Sequence, residues 1–225
     1  MISRILNIDS ITHDVKRFVV EKPDGYEFKP GQATDVSINR SGWQYKQRPF
    51  TFTSLNADKD LEFIIKGYPL KDYPNHTGVT EELHKLKKGD ELRIEKPWGT
   101  INYKGKGTFI AGGAGITPFI AIFRQLVKDN EISGNKLLFS NKKREDVILE
   151  KELRKSFPSK NLILTLSRDD DKDYEKGRID GDFLRKHIDN FEENFYVCGS
   201  SKMVGEIRKT LSELGASSNT VVFEK

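Results

Sequence analysis

The stretch Thr108–Leu126, TFIAGGAGITPFIAIFRQL, decides how the chain is read. Thr108–Ala111 is apolar, β-branched or aromatic and closes abruptly at glycine, so it reads as a short buried strand. Gly112, Gly113 and Gly115 follow as a turn with little side-chain bulk, which leaves backbone N–H groups able to face a ligand. Thr117 suits an N-cap, and Pro118 suits the first helical position, where a missing N–H is no loss. Phe119, Ile120, Phe123, Leu126 and Val127 then recur at helical spacing as one core-facing stripe. Strand, glycine turn and capped helix together make a phosphate site, because a helix N-terminus carries partial positive charge. The same pattern also fits a tight turn that binds nothing. Counted from Gly113, G-x-G-x-x-G meets Gly113, Gly115 and then Pro118, so the usual dinucleotide fingerprint lacks its third glycine.

Support comes from what lies on either side. Downstream, strand and helix patterns alternate: helix 118–128, strand 136–140, helix 147–155, strand 161–167, helix 181–188, strand 194–198, helix 201–214 and a last strand 220–223. That order predicts a parallel sheet covered on both faces. Ligands of such sheets bind at the carboxyl ends of the strands, here Ala111-Gly112, Ser140-Asn141, Ser167-Arg168 and Cys198-Gly199. Upstream, the period changes. Met1–Ile11 alternates from its second residue, Val15–Glu21, Ala33–Ile38, Phe50–Ser54, Leu61–Lys66 and Glu91–Glu95 read as strands, and Glu81–Lys87 reads as a short helix entered at Thr80. Short strands at regular spacing predict a small antiparallel barrel. Asn102–Gly107, NYKGKG, is the expected linker.

Composition narrows the classes. The 225 residues are 36% hydrophobic and 32% charged, as in an ordinary globular protein, and suffice for one large domain or two small ones, each with its own core. No apolar run approaches the roughly 20 residues that span a bilayer, and no signal-peptide core opens the chain, so no membrane partner and a cytoplasmic location are expected. A single cysteine excludes a disulfide framework and a four-cysteine iron–sulfur cluster within this sequence. Four scattered histidines show no metal-ligand spacing, and no metal site is expected. A net charge of +4 permits an acidic protein partner but falls short of a nucleic-acid footprint. Oligomeric state is not legible.

Four segments in this order resemble the ferredoxin–NADP reductase family, and more closely its compact flavodoxin-reductase-like members: Arg48-Pro49-Phe50-Thr51, Thr80–Asp90, Gly112–Pro118, and Cys198-Gly199 followed by Met203. The Pro30-Gly31-Gln32 turn also fits, and the resemblance spans nearly the whole chain. It implies a two-domain fold: an antiparallel β-barrel that binds FAD over residues 1–103, and an α/β parallel-sheet domain that binds NAD(P) over residues 104–225. It implies an NAD(P)H oxidoreductase that moves hydride from NADPH to FAD and electrons onward to a small acidic carrier such as flavodoxin or ferredoxin. A reductase that uses flavin as a substrate, and an electron-transfer subunit of a larger complex, are the alternatives.

The resemblance also assigns roles. Arg48 would clamp the flavin phosphate, with Pro49 beside it; Phe50, in place of the family's tyrosine, would stack on the isoalloxazine, and Thr51 would hydrogen-bond near N5. Thr80, with Val79 and the displaced Gly78, would bind the flavin pyrophosphate, and Lys66 is a further phosphate candidate or an ordinary solvated lysine. Gly112, Gly113, Gly115, Thr117 and Pro118 would hold the nucleotide, and Cys198-Gly199 would place the nicotinamide, a positional task for which no nucleophile is needed. Ser167-Arg168 resembles the pair that grips an adenosine 2′-phosphate, which favours NADPH over NADH, while Asp169-Asp170-Asp171 behind it reads as a solvated loop. The family commonly ends with Glu, one residue and an aromatic ring over the flavin; here Phe223-Glu224-Lys225 lacks that ring, so Glu224 keeps a catalytic assignment beside an open flavin face. Lys85, Lys87, Lys88, Lys142, Lys143 and Arg144 either meet the acidic carrier or merely solubilise the surface.

Overall fold

Alternation in the first hundred residues builds six antiparallel strands in the computed structural model, which describes residues 1–99 and 101–223. They are β1 (Ile2–Ser10), β2 (Val15–Glu21), β3 (Ala33–Ile38), β4 (Arg48–Thr51), β5 (Asp60–Lys66) and β6 (Glu91–Ile94), in the order β4-β3-β6-β1-β2-β5. The two outer strands meet through a Phe52–Phe63 bridge and a Thr53 N–H that donates to the Glu62 carbonyl at 2.9 Å, which closes the sheet into a barrel. Side chains at every second position fill it: Ile5, Phe18, Val36, Phe52, Phe63 and Ile94 are fully buried. Phe28 stacks on Phe52 with ring centroids 4.1 Å apart. One short helix, α1 (Val79–Leu83), buries Val79 and Leu83 in the same core.

The helix is shorter than the expected Glu81–Lys87 and starts earlier. Gly78, at φ +74°, occupies the N-cap, and His84 ends the helix. The Thr80 hydroxyl caps no helix; it accepts from the Tyr68 backbone N–H at 3.2 Å.

The second compact unit is Thr100–Lys225, after Met1–Gly99. It holds β7 (Gly107–Gly112), α2 (Thr117–Lys128), β8 (Lys136–Asn141), α3 (Glu150–Ser156), β9 (Leu162–Leu166), β10 (Glu175–Lys176), α4 (Gly181–His187), β11 (Asn194–Cys198), α5 (Ser201–Glu213) and β12 (Val221–Phe223). All pairings are parallel, in the order β10-β9-β8-β7-β11-β12. The chain runs outward from β7 to β9, then returns to lay β11 on β7's other side, so the strand order reverses between β7 and β11. On one face Ile110, Leu138 and Val197 pack with Leu184, Ile207 and Leu211. On the other, Phe109 meets Phe119 and Phe123 at 5.1 and 4.8 Å between centroids, and Phe157 closes on Phe123 at 4.9 Å.

Three local expectations change. Leu149 takes a left-handed conformation at φ 53°, so the helix expected from 147 starts only at Glu150. Val127, placed on the buried stripe of α2, is 41% exposed. Gly107, assigned to the linker, is the first residue of β7, and a Cβ there would lie 2.0 Å from the Asn194 carbonyl oxygen.

Candidate functional site

In the barrel, Arg48, Gly78, Val79 and Thr80 line one pocket of about 340 Å³. These four belong to motifs thirty residues apart in sequence, and the fold brings them to one place. Arg48 is exposed at the start of β4, and its Nη2 donates to the Thr77 hydroxyl at 2.8 Å. Gly78 needs its glycine: φ is +74°, and a Cβ would come within 3.2 Å of Leu70. A guanidinium, two threonine hydroxyls and a left-handed glycine are donors and space suited to a phosphate group, so this donor set fits a flavin's phosphates. Phe50 is half-buried against the barrel core and Thr51 is buried, paired in register with Ala33. Pro49 is exposed on the same strand.

Sequence reasoning missed the other wall. Tyr68, Asn75, His76 and Thr77 complete the lining. The rings of Tyr68, Tyr73 and His76 lie 4.9–5.3 Å apart, a clasp formed where the loop between β5 and α1 folds back on itself. Burial pushes the Tyr68 phenol above its ordinary value, against the pull of nearby Lys66. Lys66 itself does not line the pocket: its ammonium is paired with Asp14. Burial pushes the Asp14 carboxyl up, but the hydrogen bond and charge of Lys66 outweigh it and hold that carboxyl below its ordinary value.

In the second unit the glycines sit at the strand reversal. A Cβ on Gly115 would fall 2.5 Å from the Cys198 carbonyl oxygen and 2.6 Å from the Gly199 nitrogen, so the turn rests directly on the end of β11. Gly112 and Gly199 flank the Met203 sulfur, with would-be Cβ distances of 2.3 and 3.0 Å. Gly113 is different: its φ is +53°, and nothing lies within 4 Å of a Cβ there. Close backbone approach below and open space above are what a bound nucleotide phosphate requires. A 3₁₀ turn, Gly113–Ile116, leads straight into α2, so Thr117 is already helical and its hydroxyl donates to the Ala114 carbonyl at 3.0 Å instead of capping. Pro118 keeps its place in the first turn. Cys198 is buried as the last residue of β11. Ser200 caps α5, accepting from the Met203 N–H at 3.3 Å.

Ser167 and Arg168 follow β9, and their N–H groups donate to the Asn141 and Lys142 carbonyls at 2.9 Å each. The acidic run behind them is not simply solvated. Asp171 accepts from Arg144 at 2.9 Å, and Asp170 pairs with Lys176 at 2.6 Å. A backbone N–H from Asp173, with Arg144, holds the Asp171 carboxyl below its ordinary value. Burial and the Glu150 carboxylate push the Tyr174 phenol up to about 12, its ring lying near both Arg144 and Arg154. Of the basic residues considered for a carrier, Arg144 is thus paired, as are Lys85 with Glu82 and Lys143 with Glu145. Glu224 lies outside the described residues. No helix among the described residues is long and apolar enough to cross a membrane.

Comparison with known proteins matches both units. Residues 3–103 match the oxidoreductase FAD-binding domain, and residues 109–209 match the oxidoreductase NAD-binding domain. The chain is 28% identical over 237 residues to NADH-cytochrome b5 reductase 3 of Rattus norvegicus, covering 89% of this chain and 78% of that protein. It is 25% identical over 239 residues to the reductase component of propane 2-monooxygenase from Rhodococcus jostii, covering 99% of this chain and 62% of that one. Its fold superposes on a ferredoxin NADP+ reductase from Neisseria gonorrhoeae with a TM-score of 0.86 at 18% identity, covering 100% and 97% of the two chains. The FAD/NAD-binding domain of a Vibrio cholerae nitric oxide dioxygenase gives the same TM-score at 21% identity, covering 99% and 97%.

Proposed function

We propose, from the premise that the chain belongs to the ferredoxin–NADP reductase-like family of FAD- and NAD-binding oxidoreductases, that it oxidises a reduced pyridine nucleotide and hands the electrons to a small one-electron carrier. The observation that carries this reading is the convergence of Arg48, Gly78, Val79 and Thr80 on one pocket of the barrel unit; the second unit carries a glycine cradle of its own at a sheet reversal. A bound flavin supplies the link between two-electron and one-electron chemistry. The chain's own groups have positional tasks. Arg48, Thr77 and Thr80 anchor the flavin phosphates; Phe50 offers a ring face and Thr51 a hydroxyl near the reacting edge. The Gly112–Pro118 turn receives the dinucleotide phosphates, and Cys198-Gly199 seats the nicotinamide without acting as a nucleophile.

Ser167 and Arg168 support NADPH as the donor, because a hydroxyl and a guanidinium match a 2′-phosphate. NADH is the second reading. It is favoured by the Arg144–Asp171 pair, which engages a cation that a 2′-phosphate would otherwise attract. The similarity to NADH-cytochrome b5 reductases points the same way. Flavodoxin or ferredoxin is the carrier proposed, and a cytoplasmic location goes with it. The test is nucleotide-dependent reduction of ferricyanide by the full chain. Arg48→Ala should lose most activity at limiting FAD and regain it when FAD is added in excess, with nucleotide affinity unchanged. Undiminished activity in Arg48→Ala, or loss that FAD does not restore, overturns this assignment of the pocket.

A further inference from the structure

The nucleotide unit contains a buried amide that the assignments above do not use. Asn141, the last residue of β8, is only 5% exposed. Neither its Oδ1 nor its Nδ2 finds a hydrogen-bond partner among the described residues. Among the described residues it is the one side chain that leaves two separate polar atoms, a donor nitrogen and an acceptor oxygen, buried and unmet. Its backbone is engaged normally, the carbonyl accepting from the Ser167 N–H at 2.9 Å. Leaving both side-chain atoms unmet is costly in a folded protein, and such groups call for an explanation.

Position supplies one. Alternation puts Asn141 on the same sheet face as Phe139, which registers with Ala111 and through it with Cys198. Ser140 pairs with Gly112, so Asn141 stands one register step further, level with the departure of Gly113 into its turn. That is the glycine with positive φ and nothing within 4 Å of a would-be Cβ. The residue therefore stands at the carboxyl end of the sheet, on the face of Cys198 and level with the start of the glycine turn.

The chemistry of the amide restricts what it takes. A phosphate only accepts, which would leave Oδ1 unmet, and an ammonium or guanidinium only donates, which would leave Nδ2 unmet. A vicinal diol does both: one hydroxyl donates to Oδ1 while the neighbouring oxygen accepts from Nδ2. We propose that Asn141 is a nucleotide-binding residue whose amide pairs with a ribose diol of the pyridine nucleotide. The proposal rests on the nucleotide reading of this unit and extends it to a residue outside the glycine turn and the Ser-Arg pair.

The experiment is calorimetric binding of NAD+ to the full chain and to three variants, with thermal unfolding of each without nucleotide. Asn141→Leu should weaken NAD+ about tenfold or more, while its unliganded melting temperature holds or rises because two unmet polar atoms are gone. Asn141→Asp, whose carboxylate accepts from both hydroxyls of a diol, should bind NAD+ more tightly than Asn141→Leu. Asn141→Ser, a smaller change, guards against misfolding and should weaken binding to an intermediate degree. Two NAD+ analogues, one lacking the 2′-hydroxyl on the adenosine ribose and one lacking it on the nicotinamide ribose, identify the sugar. One of them should bind wild type more weakly than NAD+ does, yet match NAD+ on Asn141→Leu. Unchanged NAD+ affinity in Asn141→Leu overturns the proposal while leaving the nucleotide site standing. Weaker binding by Asn141→Asp than by Asn141→Leu overturns the diol in favour of a phosphate. A wild type that binds neither NAD+ nor NADP+ would overturn the nucleotide reading itself.

Discussion

Gly115→Ala isolates the contact on which the nucleotide cradle is built. The added Cβ would lie 2.5 Å from the Cys198 carbonyl oxygen, 2.6 Å from its carbon and 2.6 Å from the Gly199 nitrogen. All three are backbone atoms, so no side-chain rotation relieves the clash; either the glycine turn lifts or the end of β11 moves. Both strands are central in the sheet, with Ala111 and Cys198 in register, so that movement disturbs the pairing on which Cys198 depends. Overpacking of this kind costs about 1–3 kcal/mol, and the absence of a yielding partner places Gly115→Ala near the upper end. For a unit of this size the urea midpoint should fall by about 1 M. Gly113→Ala is the control: it meets no neighbour but must hold φ +53°, which costs about 1 kcal/mol. Urea unfolding followed by fluorescence gives both values, and calorimetry with NAD+ gives the consequence for binding. Gly115→Ala should bind nucleotide at least tenfold more weakly than Gly113→Ala, with flavin content unchanged. A Gly115→Ala protein as stable as wild type, or one that binds nucleotide normally, would refute the reasoning.

Three further perturbations follow from the same geometry. Asp171→Asn releases Arg144 from its 2.9 Å pair and should tighten NADPH several-fold against NADH. Equal Kd ratios in variant and wild type would show that the pair does not govern donor choice. Burial holds the His84 imidazole below its ordinary value, while its Nε2 lies 2.9 Å from the Ile65 carbonyl and its ring fills the space over Gly67. The neutral ring is favoured in the folded state, so its contribution is complete above about pH 6.5 and is lost as pH falls through the lower folded value. Urea midpoints of the barrel should decline between pH 7.5 and 5.5, and His84→Gln should flatten that decline; parallel slopes in the two proteins would exclude His84 as the cause. Asn135, fully buried, accepts from the Tyr103 hydroxyl and the Gly107 N–H and donates to the Glu131 and Ile132 carbonyls, so Asn135→Ala should destabilise the second unit by about 2–4 kcal/mol. A loss below about 0.5 kcal/mol in chemical denaturation would contradict that role.

The parts legible in the sequence are those fixed by local pattern. Thr108–Ala111, the glycine turn and Pro118 announce a strand, a tight reversal and a helix within twenty residues, because periodicity and glycine conformation act locally. Arg48, Gly78, Val79 and Thr80 were found by motif, and the pocket unites them. Features that depend on distant partners were not visible. Lys66 reads as a phosphate ligand until Asp14, fifty-two residues earlier, is seen to hold it. The Tyr68–Tyr73–His76 clasp belongs to an irregular loop with no periodicity to read. Thr117 and Thr80 look like caps by residue type, but a 3₁₀ turn and a left-handed glycine begin those helices instead. Asn141 was visible only as the end of a strand; its unmet amide is a property of packing.

On the reading proposed above, one chain couples a flavin to a reduced pyridine nucleotide. The most direct test is the visible absorbance of the purified protein under anaerobic conditions, before and after NADPH and, separately, NADH. A flavin band that either nucleotide bleaches is expected, the faster of the two identifying the donor. A flavin band that neither nucleotide bleaches would contradict that reading.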